Sequence, residues 1–135
     1  MKPSSKLHAA FLVLTLLAYP IVSTPAWAAI DDYEFQLVQT EVQVGEATVV
    51  SVRLFDKRTG EAVPEAVIFQ RRVDMAPDGM ETMTGSIGPL PSTEPGVYRF
   101  ATGLVMEGGW RLSLAAKIQG EEGTLESKLE LKVLP

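Results

Sequence analysis

The feature that most constrains the fold of this chain is the alternation of apolar and polar side chains along residues 29–135. Leu112 and Leu114, for example, alternate with Arg111 and Ser113. A period of two with one apolar face is typical of an antiparallel strand that buries one side. The pattern predicts seven strands, at residues 33–39, 47–56, 66–73, 86–90, 97–102, 110–119 and 124–134.

Glycine and proline mark the turns between these strands. Pro95-Gly96 is the signature of a type II turn, and Gly60 and Gly123 close two other tight connections. About seven strands at near-regular spacing predict one all-β domain, an immunoglobulin-like antiparallel β-sandwich. The chain has no cysteine, so no disulfide supports this fold and no disulfide-linked partner is expected.

The first 28 residues have the composition of a targeting segment. Two lysines precede an apolar run from Ala9 to Leu17, and the A-x-A sequence Ala26-Trp27-Ala28 follows. This pattern predicts a signal peptide over residues 1–28, and cleavage would release a domain of residues 29–135 to the periplasm or the exterior. The alternative is an uncleaved N-terminal helix that anchors the protein in a membrane.

The predicted mature domain is acidic. It holds ten basic residues against 17 acidic ones, which gives a formal net charge of −7. A domain without clustered lysine and arginine is a poor ligand for phosphate backbones, so no nucleic-acid partner is expected. Residues 29–135 also contain no histidine and no cysteine, which leaves no activated nucleophile. We therefore expect no enzymatic activity.

Four methionines are the candidate ligands for a soft metal ion. If successive strands are antiparallel, all four lie in the connections at one end of the sandwich, the upper pole (residues 40–46, 74–85 and 103–109). Uncharged thioether sulfur favours Cu(I) over Zn(II), and nearby carboxylates would attract cations. The alternative is that the methionines fill gaps in the core. The candidate ligands are Met75, Met80, Met83 and Met106, with Asp74, Asp78 and Glu81 as the carboxylates.

Several short motifs resemble, in their order and spacing, those of the YtkA-like and FixH-like domain family. They are Val44-Gly45-Glu46, residues 50–56, residues 60–66, Met75 and Met80, Pro95-Gly96-Val97-Tyr98, and residues 106–112. The resemblance covers about residues 33–120. It implies an immunoglobulin-like sandwich outside the cytoplasmic membrane, a link to copper handling, and no enzymatic activity. The implied partners are a membrane transporter or an assembly protein of copper-containing oxidases.

The chain departs from this family in two respects. Members often carry Met-Pro-x-Met or Met-x-His in the long connection, whereas here Met75 is followed by Ala76-Pro77 and no histidine is present. FixH-like members also keep a membrane anchor. Without imidazole, a thioether site for Cu(I) is what remains, with no resident cofactor required. Two hypotheses follow: a copper-handling accessory, or a metal-free module that docks through a sheet edge or the upper loops.

Overall fold

The computed structural model describes residues 29–135, and the predicted signal peptide lies outside the described part. Within residues 29–135 the chain forms nine strands and two 3-10 turns, Ile30–Asp32 and Ala76–Asp78. None of the helical segments described there is long and apolar enough to cross a membrane. The strands are β1 (Tyr33–Leu37), β2 (Glu41–Gln43), β3 (Gly45–Asp56), β4 (Val67–Met75), β5 (Met80–Gly85), β6 (Ile87–Leu90), β7 (Val97–Leu104), β8 (Gly108–Lys117) and β9 (Leu125–Leu134).

The strands form two sheets that pack face to face. The first sheet has the order β1-β3-β7-β6, and the second has the order β2-β9-β8-β4-β5. Every pairing is antiparallel except that of β2 with β9, which is parallel. The predicted immunoglobulin-like β-sandwich is therefore confirmed, with two more strands than the sequence pattern indicated.

Two segments that were predicted as connections contain these extra strands. Residues 40–46 contain β2, where Val42 pairs with Val133 of β9. Residues 74–85 contain the end of β4, a 3-10 turn and β5, so this segment is a hairpin rather than a loop. Gly79 adopts a left-handed conformation (φ 75°), which lets the chain reverse within a few residues.

The segment after β5 crosses from the second sheet to the first. The Gly103 N–H of β7 donates a hydrogen bond to the Ser86 carbonyl (2.8 Å), directly before β6 begins. A Cβ atom on Gly85 would collide with the Gly103 carbonyl, so the two backbones approach this closely only because residue 85 is glycine. One continuous chain segment thereby contributes an edge strand to each sheet.

The core lies between the two sheets and is built from the inward positions of the alternating strands. Trp110 is fully buried, and its Nε1–H donates a hydrogen bond to the Met106 carbonyl (2.8 Å). At the opposite end of the sandwich, the Tyr98 hydroxyl accepts a hydrogen bond from the Ala66 N–H (2.9 Å) and donates one to the Val63 carbonyl (2.8 Å). These two aromatic side chains attach one connection at each end to the core.

Candidate metal site at the upper pole

Met75 is the last residue of β4, and it lies inside the sandwich. Its exposed fraction is 1 %, and it belongs to the hydrophobic core. The side chain extends beneath the start of β8, because a Cβ atom on Gly108 would lie only 2.9 Å from the Met75 Cε. The core-filling alternative therefore describes the position of Met75, whose sulfur is shielded from solvent in this conformation.

Met80 lies directly across the hairpin from Met75. The two residues are register partners at the upper end of β4 and β5. Met80 is exposed, as β5 lies at the edge of its sheet. This register places the backbones of a buried and an exposed methionine side by side at the upper end of the hairpin.

Met83 is also exposed, and it lies farther along β5. The register passes from the Asp74–Thr84 pair directly to the Met75–Met80 pair, so residues 81–83 have no partner on β4. This segment is held instead by Arg72, whose Nη2 donates a hydrogen bond to the Glu81 carbonyl (2.7 Å). The structure therefore leaves Met83 outside the pair that Met75 and Met80 form.

Met106 lies in the turn between β7 and β8, beside the same hairpin. It is half-buried and packs against the core. The 3-10 turn after β4 contacts the start of β8, where the Gly109 N–H donates a hydrogen bond to the Asp78 carboxylate Oδ2 (3.0 Å). Gly108 has φ 135°, a conformation that L side chains rarely adopt. The structure thus brings Met75, Met80 and Met106 to the upper pole.

Two of the three candidate carboxylates near these methionines, Asp74 and Asp78, are engaged in other interactions. Asp74 is fully buried; its Oδ2 accepts hydrogen bonds from Arg72 Nε (3.0 Å) and Arg111 Nη2 (3.1 Å), and its Oδ1 accepts one from the Ala76 N–H (2.9 Å). Burial by itself raises the pKa of Asp74, but the Arg72, Ala76 and Arg111 hydrogen bonds lower it below its ordinary value. Asp74 is thus a buried structural anion that pairs with both arginines.

The carboxylates at the upper pole are the remaining candidate donors. Asp78 uses its carboxylate to hold the start of β8. Within the described residues, no group of three or more histidine, cysteine, aspartate or glutamate side chains is arranged to hold a metal ion. Methionine is thus the candidate ligand type that the structure places at the upper pole, at Met75, Met80 and Met106.

Sequence reasoning missed the pairing of Asp74 with two arginines. The pairing of Arg72 with Asp74 could have been predicted in part, because residues two apart in a strand share one face. The pairing of Arg111 with Asp74 could not, because it depends on the pairing of β4 with β8.

Comparison with known proteins gives one family and distant likenesses among solved structures, including the Lin-41 filamin domain and the ZirS C-terminal domain. The family model described as YtkA-like matches residues 28–115. Among solved structures, the Lin-41 filamin domain is 18% identical to this chain, with a TM-score of 0.46. The match covers 76% of this chain and 92% of the filamin domain chain. The ZirS C-terminal domain is 15% identical to this chain, with a TM-score of 0.46. The match covers 79% of this chain and 68% of the ZirS domain chain. No curated protein matches the sequence.

Proposed function

This chain belongs to the YtkA-like family, and from that premise we propose that it is a non-enzymatic, exported accessory domain that binds Cu(I) at the upper pole. Copper is its cargo rather than a resident cofactor. One observation carries the proposal: Met75 and Met80 are direct cross-strand partners, and Met106 lies in the adjoining turn. Soft, uncharged thioether ligands suit Cu(I) better than they suit Zn(II) or Mg²⁺.

The three sulfur atoms differ in their access to solvent, and this difference suggests an order of binding. Met80 is exposed, Met106 is half-buried and Met75 is buried. Cu(I) would first meet Met80, then Met106, and would reach Met75 last. Transfer to a partner would proceed by exchange of thioether ligands, beginning at the exposed Met80. No change in the oxidation state of the metal is needed.

A Cu(I) titration under anaerobic conditions, against a chromophoric chelator, tests the proposal. We expect Met80→Leu and Met106→Leu each to weaken Cu(I) binding at least about tenfold, since each removes one soft ligand. Met83→Leu is the matched control, because it removes a similarly exposed thioether from the same strand, outside the pair that Met75 and Met80 form. If the double variant of Met80 and Met106 binds Cu(I) with unchanged stoichiometry and affinity, the proposal is wrong.

A second candidate function is that of a metal-free module that assists a membrane transporter or an oxidase assembly system. The burial of Met75 favours it, because core packing alone accounts for that side chain. The Met80→Leu variant also separates the two candidates. Leucine keeps the apolar volume that a protein partner would contact but lacks the sulfur that Cu(I) needs, so partner binding would survive where Cu(I) binding is lost.

A further inference from the structure

Among residues 29–135, one long strand edge of the sandwich has no hydrogen-bonded neighbour. β4 pairs with β8 from Val67 to Asp74, but on its other side β5 reaches only residues 73–75. Residues 67–72 therefore form a free edge, which we call the β4 edge. Within the described chain, none of the backbone hydrogen bonds from turns and loops ends on these six residues. Such an edge presents unpaired N–H and C=O groups that another strand can use.

The β4 edge is less protected than the edges formed by β2 and β6. β2 has three residues, and β6 has four, one of which is Pro89. The β4 edge contains no proline, and its side chains include Val67 (62 % exposed) and Phe69 (46 % exposed). A bulge between Ile68 and Gln70 is its one irregularity. Exposed apolar side chains beside unpaired backbone groups favour association with an extended segment.

A cleft of about 500 Å³ separates the lower part of β4 from β6, and Arg71 lines it. The structure describes all six arginines of the chain, and Arg71 is the one that makes no ion pair, side-chain hydrogen bond or ring contact with another described residue. Glu65 and Glu94 line the same cleft without pairing with it. The half-buried guanidinium of Arg71 is therefore suited to bind a carboxylate through two parallel N–H···O hydrogen bonds, that is, in bidentate geometry.

We propose that the β4 edge receives an extended segment of a partner protein, which adds to the sheet as an extra strand and places an aspartate or glutamate side chain against Arg71. Backbone pairing would supply the register, Val67 and Phe69 would supply apolar contact, and Arg71 would select the acidic residue. The inference identifies the docking surface of the metal-free candidate function. It does not depend on Cu(I) binding at the upper pole.

A synthetic peptide provides the probe. We would use a heptapeptide of alternating threonine and valine with a central glutamate, together with a version that carries glutamine there and a version with N-methylated backbone amides. Titration into the ¹⁵N-labelled protein should shift the amide signals of residues 67–72. The glutamine peptide should bind roughly tenfold more weakly, because it lacks the charge-assisted hydrogen bonds. The N-methylated peptide should not bind, because it cannot pair with the edge.

Protein variants test whether the Arg71 side chain accounts for the preference for the glutamate peptide. Arg71→Gln should weaken binding of the glutamate peptide roughly tenfold and leave the glutamine peptide unchanged. Arg53→Gln is the control, because Arg53 lies in the first sheet and contacts the Phe55 ring. Met80→Leu should bind the peptide normally even if it has lost Cu(I), so the two proposals fail separately.

Four results would overturn the inference. The first is the absence of any shift at millimolar peptide, and the second is a set of shifts that lies outside residues 67–72. The third is equal affinity for the glutamate and glutamine peptides. The fourth is a concentration-dependent dimer in sedimentation experiments without peptide, provided that Phe69→Ser abolishes it. That last result would assign the β4 edge to a second copy of this chain.

Discussion

Replacement of Asp74 by asparagine should destabilise this domain strongly, although the two side chains have nearly the same shape. Asparagine keeps an oxygen that can accept the Ala76 N–H but loses the charge that pairs with two arginines. The arginines differ in solvent access, since the side chain of Arg72 is 53% exposed and that of Arg111 is 23% exposed. Water can replace the lost partner of Arg72 more readily than that of Arg111.

The size of the effect follows from this difference. Breaking a fully buried ion pair costs about 3–5 kcal/mol, and an exposed pair contributes about 0–1 kcal/mol. Asp74 is fully buried, whereas only Arg111 of its two arginine partners is mostly buried, and the Nε of Arg111 has no hydrogen-bond partner among the described residues. We therefore expect Asp74→Asn to lower the free energy of unfolding by about 2–3 kcal/mol. By the same reasoning, Arg111→Gln should destabilise more than Arg72→Gln.

Urea unfolding of the wild type and of Asp74→Asn, at a series of pH values, measures this loss. The pKa of Asp74 lies below its ordinary value of 3.8 in the folded state, so the folded protein releases this proton more readily than the unfolded chain. Its stabilising contribution is therefore complete above the unfolded pKa and is lost as the pH falls through the folded pKa. The difference between the two proteins should be largest above about pH 5 and should shrink below about pH 4.

The control is Asp56→Asn, because Asp56 also accepts hydrogen bonds from an arginine, Arg58, but does so in an exposed turn. We expect it to destabilise less than Asp74→Asn. A loss below about 1 kcal/mol for Asp74→Asn at pH 7 would refute the reasoning, since that is the value of an exposed pair. A difference that stays constant down to pH 3 would refute it too.

Three further predictions concern other parts of the structure. Gly108→Ala should lower the melting temperature, at a cost of about 1–3 kcal/mol, because φ is 135° there and a Cβ atom would collide with the Asp78 carboxylate. Tyr98→Phe removes two hydrogen bonds and should cost about 1–3 kcal/mol in urea unfolding, more than Tyr33→Phe, which removes one. Cu(I) affinity should stay constant between about pH 6 and 8 in chelator competition, because thioethers release no protons.

The success of the strand predictions depended on how deeply each strand is buried. Strands with one buried face, such as β8 and β3, show the period of two that predicts them. β2 has only three residues, with Val42 alone facing inward, so it is too short to show a period. The residues of β5 are exposed or half-buried throughout, so it has no apolar face to detect. Periodicity finds strands by their contribution to the core, and these two contribute little.

The inward-facing position of Met75 could be predicted in part from the sequence. Val73 and Met75 are two residues apart and share the inward face of β4, because the strand continues two residues beyond its predicted end at residue 73. The pairing of Met75 with Met80 could not be predicted from the sequence, since it depends on the bulge that removes residues 81–83 from the register. The β4 edge could not be predicted from the sequence either, because it depends on how far β5 extends along β4.

Met75 links the proposed metal site to the stability of the fold. Burial of a methionine side chain contributes about 1.5–3 kcal/mol, so a conformation in which Met75 leaves the core to meet a metal ion would be costly. The less costly arrangement keeps Met75 in place and brings Cu(I) to it between Met80 and Met106. On this argument, Met80→Leu and Met106→Leu weaken Cu(I) binding with little change in stability, whereas Met75→Leu weakens binding and shifts stability by less than about 1.5 kcal/mol. If Met75→Leu abolished Cu(I) binding and Met80→Leu left it intact, the metal would have to reach the core by another route.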